Sequence, residues 1–103
     1  MLALIKIYSK EFDMNIAQEL KLGYYVSGKN FLESKGVDCT NWKCRYRPIT
    51  YGWEFKVWDE NKEPVVRLRC EPVNNFTEVS YRDNLIAMGL ADILKSVMKR
   101  FYK

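Results

Sequence analysis

Histidine is missing from this 103-residue chain, and glycine and proline are sparse, at five and three. Without histidine, the usual general base of Ser-His and Cys-His chemistry is gone. The acids are scattered over turns and helix surfaces, with no arrangement that pairs one as acid with another as base. The sequence therefore predicts no enzyme, no catalytic residue, no cofactor and no small-molecule substrate. Cysteine is present only as Cys39, Cys44 and Cys70. An odd count argues against a secreted disulfide scaffold, and no C-x-x-C pair supplies half of a zinc site. No metal ligand set is assigned, and the expectation is three reduced thiols, two of them on core strands. Long apolar runs are lacking too. The opening MLALI gives five apolar residues before Lys6. A signal peptide's apolar region needs roughly 7–15 and a spanning helix about 20. A soluble, intracellular, cytoplasmic protein with no membrane partner is expected. The glycosylation pattern Asn75-Phe76-Thr77 would then go unused.

What is present suits one globular domain over residues 1–103. Hydrophobic residues make up 48% and aromatics 15%, against 29% charged. Each buried aromatic removes about 150–250 Å² from water, so a small core suffices. The net charge of +4 is uneven. Residues 1–39 balance five lysines against five acids, whereas residues 82–103 hold five basic and two acidic residues. Such a bias suits nucleic acid or an acidic protein without requiring either.

One stretch imitates a catalytic motif. In GYYVSGKN, Gly23, Gly28 and Lys29 reproduce G-x-x-x-x-G-K, the start of a phosphate-cradling loop. The next position needs a hydroxyl for magnesium and holds Asn30 instead, and Tyr24-Tyr25-Val26 is bulky for such a loop. The preceding NIAQELKL reads as helix, whereas a phosphate loop follows a buried strand. A helix end, a turn and a new short helix are expected here.

Along the chain, residues 2–8 alternate as a first strand. Asp13 caps a helix carrying Ile16, Ala17 and Leu20 on one side, with Gly23 as a possible end. Ser27 or Asn30 then starts a short helix through Phe31 and Leu32, and Gly36 holds the left-handed closing position. Three segments follow with period 2. In 42–49, Trp42, Cys44 and Tyr46 oppose Lys43, Arg45 and Arg47. In 53–58, Trp53, Phe55 and Val57 oppose Glu54, Lys56 and Trp58. In 65–70, Val66, Leu68 and Cys70 oppose Val65, Arg67 and Arg69. Separated by turn signals, they predict an antiparallel meander with one buried face. A short strand at Thr77–Ser80 would make a fourth. From about Tyr81 to Phe101, Ile86, Leu90, Ala91, Leu94, Val97, Met98 and Phe101 follow the 3.6 period of a long amphipathic helix, with Ser80 and Asp83 near its start. The fold class is α+β: a three- or four-stranded antiparallel sheet with helices on one face and a long C-terminal amphipathic helix.

From Ser27 to Lys103 the order is helix, three strands, helix, with Ala87 and Ala91 on the inner side of the last helix. In topology this is similar to the double-stranded RNA-binding domain, over about three quarters of the chain. That family contacts RNA through a Lys-Lys-x-Ala-Lys cluster opening the last helix and a Gly-Pro-x-His loop between the first two strands. Here those positions read Ser80-Tyr81-Arg82-Asp83-Asn84 and Pro48-Ile49-Thr50-Tyr51-Gly52, and only Arg82 supplies a cation for the cluster. The resemblance implies a fold order and stops short of the RNA-binding motifs.

The polar face of the meander carries the functional expectation. It gathers Lys43, Arg45, Arg47, Lys56, Arg67 and Arg69 against Glu54 and Glu71, with Trp58 at the rim. Cations around an aromatic suit phosphate contact plus base stacking. A non-catalytic binding module is expected, engaging nucleic acid or a nucleic-acid-binding complex through these residues. The alternative is a small inhibitor or adaptor that blocks an acidic protein partner, in the manner of mobile-element anti-defence proteins. A homodimer through a sheet edge is compatible with both. The cationic stripe of the last helix (Lys95, Lys99, Arg100, Lys103) is the weaker surface, because the helix dipole favours cations there anyway.

Overall fold

The computed structural model describes residues 15–100. The strand expected at 2–8, the cap at Asp13, Phe101 and Lys103 lie outside them. From residue 15 the chain is helical without a break to Ser34 (α1), where a helix, a turn and a second helix were expected. Its middle, Tyr24–Gly28, widens into a π turn, and Gly23 and Gly28 both keep ordinary right-handed angles. So GYYVSGKN is no loop at all. Its glycines serve packing against the C-terminal helix. A Cβ at Gly23 would come within 2.8 Å of Val97 Cγ2, and one at Gly28 within 3.0 Å of Leu90 Cδ1. Glycine costs roughly 1 kcal/mol against alanine inside a helix, so its use here marks a close approach. The π turn brings two glycines five residues apart onto the same neighbour. α1 closes as expected at Gly36, with φ 77°. The Gly36 N–H donates to the Glu33 carbonyl and the Val37 N–H to the Leu32 carbonyl, both at 3.0 Å. This double bond closes the last turn while its apolar residue, Val37, packs against the core.

Four antiparallel strands follow in sheet order: β1 (Lys43–Ile49), β2 (Gly52–Trp58), β3 (Pro64–Glu71) and β4 (Phe76–Tyr81). The first hairpin closes at Ile49 opposite Gly52. A Cβ on Gly52 would lie 1.8 Å from the Cys70 carbonyl oxygen, so β3 tolerates only glycine there. A 3-10 turn, Pro72–Asn74, with Asn75 left-handed, redirects the chain into β4. The fourth strand departs from the three-strand order of the double-stranded RNA-binding domain.

The C-terminal helix, α2 (Leu85–Lys99), starts later than expected. Tyr81 pairs with Val66 in the sheet, and the cap is Asn84, which accepts the Ala87 N–H at 2.8 Å. Neither Ser80 nor Asp83 takes that role. Asn84 has an extended backbone, φ −156°, which suits an N-cap. One face of α2 buries Ala87, Leu90, Ala91, Leu94, Val97 and Met98. These pack with Ile16, Leu20, Tyr24 and Leu32 of α1 over the inner sheet residues Trp53, Phe55, Val57, Val66, Leu68 and Cys70. At Gly89 the crossing is tightest: a Cβ would meet Phe31 Cζ at 2.2 Å. The domain is α+β, with both helices on one face of the sheet. Among the described residues no helix packs on the other face, which carries polar side chains.

Candidate nucleic-acid interface

The outer face of the sheet is a grid whose rungs run across the strands, because residues opposed in an antiparallel ladder point the same way. One rung reads Arg47, Glu54, Arg69, Glu78. The next reads Arg45, Lys56, Arg67, Ser80. A third begins Lys43, Trp58 and then meets a β-bulge between Val57 and Trp58, where Trp58 pairs with Pro64. The seven residues expected on this face, Lys43, Arg45, Arg47, Lys56, Trp58, Arg67 and Arg69, are all on it. Val65, expected on this face, is only 2% exposed; it lies at the bulge, between the Val57–Val66 and Trp58–Pro64 pairs. β4 also adds Glu78 to the face, so six cations stand against three carboxylates (Glu54, Glu71, Glu78).

The middle rung places three cations abreast on neighbouring strands, about 4.8 Å apart. Like charges directly opposite repel. A single carboxylate counters two of them, Lys56 and Arg67, together with Arg47 of the neighbouring rung. Glu54 lies 3.1 Å from Arg47 Nε, 3.1 Å from Arg67 Nε and 3.6 Å from Lys56 Nζ. Its side chain is only 4% exposed, whereas those of Arg47, Lys56 and Arg67 are 50, 27 and 35% exposed. Burial by itself would raise the Glu54 carboxyl. The Arg47 and Arg67 hydrogen bonds and the Lys56 charge outweigh it and keep the group below the usual glutamate range. The strands also place Glu54 opposite Arg69, but Arg69 Nη2 turns to Glu71 Oε1 at 3.0 Å instead.

At the third rung the Arg45 guanidinium lies 5.4 Å from the centre of the Trp58 ring. Such stacking steadies a half-buried ring by roughly 0.5–1 kcal/mol at a surface site. Beside Trp58 the β2–β3 turn is fixed by Asp59, whose Oδ1 accepts the Asn61 and Glu63 N–H groups at 2.9 and 3.0 Å. Its other oxygen takes the Arg82 guanidinium. Burial would raise the Asp59 carboxyl, but Arg82 and the two N–H donors keep it below its usual range. Arg82 also donates to the Pro64 and Glu63 carbonyls at 2.8 and 3.0 Å. The one cation matching the RNA-binding cluster of the topologically similar family is thus committed to holding this turn. Within the turn, Lys62 has φ 63°, a left-handed conformation that favours glycine or asparagine and costs a lysine roughly 1 kcal/mol.

The second cationic surface, on α2, is less open. Lys95 Nζ is 3.7 Å from Asp92 and 5.5 Å from the Tyr81 ring centre, and Arg100 is 3.8 Å from Glu19. The cysteines are free, with Cys39 and Cys70 buried and Cys44 half-buried on β1. Burial pushes the Cys44 thiol up, despite a hydrogen bond with Tyr25 and the charges of Lys21 and Lys29, so it is no poised thiolate. Among the described residues no cluster of His, Cys, Asp and Glu could hold a metal ion, and no helix is long and apolar enough to cross a membrane.

Sequence alternation alone found the face. It missed Glu54 as the hub of three ion pairs, and it missed Lys62, whose only signal was its place in the turn DENKEP. No family model, no curated protein and no solved structure matches this chain.

Proposed function

We propose that this chain is a non-catalytic binding module that lays its cationic sheet face against nucleic acid, alone or within a nucleic-acid-binding complex. The observation that carries this reading is the rung Arg45, Lys56, Arg67. Three cations abreast on adjacent strands, of which Lys56 and Arg67 share one carboxylate, Glu54, form a surface that suits anions. Backbone phosphates supply a row of them, and each contact releases condensed counterions. Arginine suits the role because its planar fork meets phosphate with two donors. The face has neither the glycine-rich loop nor the paired carboxylates of a nucleotide-processing site.

The test is a salt titration with generic duplex and single-stranded probes. On duplex DNA the affinity falls by roughly 0.9 log units per phosphate contact for each tenfold rise in salt. Arg45→Ala combined with Arg69→Ala should flatten that slope by about two contacts and leave the fold intact, because neither side chain touches Glu54 or the core. If neither probe binds even at about 50 mM salt, a range where this term is strong, the reading fails. The surface then belongs to an acidic protein partner, as in an inhibitor or adaptor.

A second copy of the chain is compatible with this use. Among the described residues β4 is an edge strand of the sheet and carries no Lys, Arg or Pro, the residues that commonly guard an edge, whereas β1 at the other edge has Lys43, Arg45, Arg47 and Pro48. Pairing β4 with its own copy would extend the cationic face across two molecules.

A further inference from the structure

We infer that the hollow at the Lys43–Trp58 end of the sheet is a slot for one unpaired base of a single-stranded nucleic acid; this rests on the nucleic-acid reading above. The hollow encloses about 530 Å³ and is lined by Asn41, Lys43, Trp58, Asp59, Glu60 and Lys62. That is the size of a small-molecule site. Its two acids are already engaged. The Asp59 carboxylate takes Arg82 and two backbone N–H groups, and Glu60 Oε2 accepts the Trp42 indole N–H at 2.6 Å. What remains is the Trp58 ring, one side of which meets the Arg45 guanidinium, the Asn41 amide, and the ammonium groups of Lys43 and Lys62, which make no ion pair among the described residues.

This is a selective set. A flat ring offers a stacking surface that every base can use. An amide can both donate to and accept from a base edge. Two ammonium groups at the mouth suit the phosphates on either side of that base. An acidic peptide would use the lysines but leave the ring and the amide without purpose. Paired bases stack on their neighbours within the duplex, so only an unpaired or terminal base can enter. The slot also joins the rest of the face, because Arg45 belongs to the middle rung and lies over the Trp58 ring. A strand whose phosphates follow Arg45, Lys56 and Arg67 would deliver its next base to Trp58.

Lys62 supports the same use from a different direction. Its left-handed backbone is held by the Asp59 turn, in which the Lys62 N–H donates to the Asp59 carbonyl at 3.0 Å. Glycine would sit there without strain, so the backbone gains nothing from lysine. The ammonium group lining the hollow is what the residue contributes.

The test uses the full chain and short duplexes with a one-nucleotide overhang that is either intact or abasic, read by binding titration and by tryptophan emission. Trp42 and Trp53 are buried, so an emission change on binding reports chiefly on Trp58. The intact overhang should bind roughly tenfold more tightly than the abasic one and quench the emission. Trp58→Ala should abolish that difference. Lys62→Gly should weaken single-strand binding several-fold while the melting temperature stays the same or rises, a combination that damage to the fold cannot produce. If the duplexes bind with the expected salt dependence, but the overhang base makes no difference and Lys62→Gly binds like the unaltered chain, the slot is refuted and the cationic face stands. If no oligonucleotide binds at low salt, both readings fall together.

Discussion

Replacing Glu54 by glutamine should weaken the fold and strengthen the binding of nucleic acid at the same time. The substitution keeps the shape of the side chain but removes the charge that three cations surround. Losing one partner of a buried ion pair costs about 3–5 kcal/mol, and an exposed pair is worth about 0–1 kcal/mol. Glu54 lies between these cases, since its own side chain is 4% exposed and its partners are 27–50% exposed. A loss of about 2 kcal/mol follows, equivalent to roughly 10 °C in melting temperature for a domain of this size. The outer face would meanwhile hold six cations against two carboxylates. Affinity for duplex or single-stranded probes at low salt should therefore rise, because one internal counter-charge is gone.

The same residue fixes the acid limb of stability. Its carboxyl is held below the usual glutamate range in the folded state. The unfolded chain therefore takes up the proton first as pH falls. The contribution is complete above the unfolded value, near 4.3, and disappears as pH drops through the lower folded value. Thermal melts of the glutamine variant should accordingly lose less stability than the unaltered chain between about pH 5 and 3. Equal melting temperatures at neutral pH, together with parallel acid limbs, would refute the claim that Glu54 organises the face.

Leu94→Asp should unfold the domain, since Leu94 is fully buried and an unpaired buried charge costs several kcal/mol out of a total of about 5–15. Lys95→Asp, one residue on, loses only a surface pair and a ring contact, and circular-dichroism melts should separate the two variants widely. Tyr24→Phe should leave the melting temperature unchanged or raise it. The Tyr24 hydroxyl is buried with no hydrogen-bond partner among the described residues, and burial, followed by the nearby Cys39, Cys44 and Tyr25, pushes its ionisation well above the ordinary tyrosine range. A clear drop in melting temperature would reveal a bond that the geometry lacks.

Local periodicity determined most of the fold class. Alternation in 53–58 and 65–70 sorts Trp53, Phe55, Leu68 and Cys70 from Lys56, Arg67 and Arg69, because a strand's side chains point to opposite faces in turn. The 3.6 spacing of Leu90, Leu94 and Val97 likewise marks the buried side of α2, and Gly36 marks the end of α1. Those signals act within a few residues, so sequence alone can carry them. It also placed the seven residues of the outer face together, since a meander of three strands leaves them no other side.

Tertiary structure decided the rest. Gly23 and Gly28 read as punctuation in sequence, yet they lie inside a helix, because their purpose is contact with Val97 and Leu90, 74 and 62 residues away. Tyr81 joined the sheet instead of α2 because β3 offered it a ladder partner in Val66. Val65 is buried at a bulge that exists only between two paired strands. Glu54 pairs with Arg47, opposite it on β1, and with Lys56 and Arg67, but not with Arg69, opposite it on β3, a choice made by side-chain reach across three strands. The hollow beside Trp58 is likewise assembled from the ends of β1 and β2 and the turn after them. Sequence pattern thus determined which face each residue occupies, and long-range packing alone determined which partner it meets there.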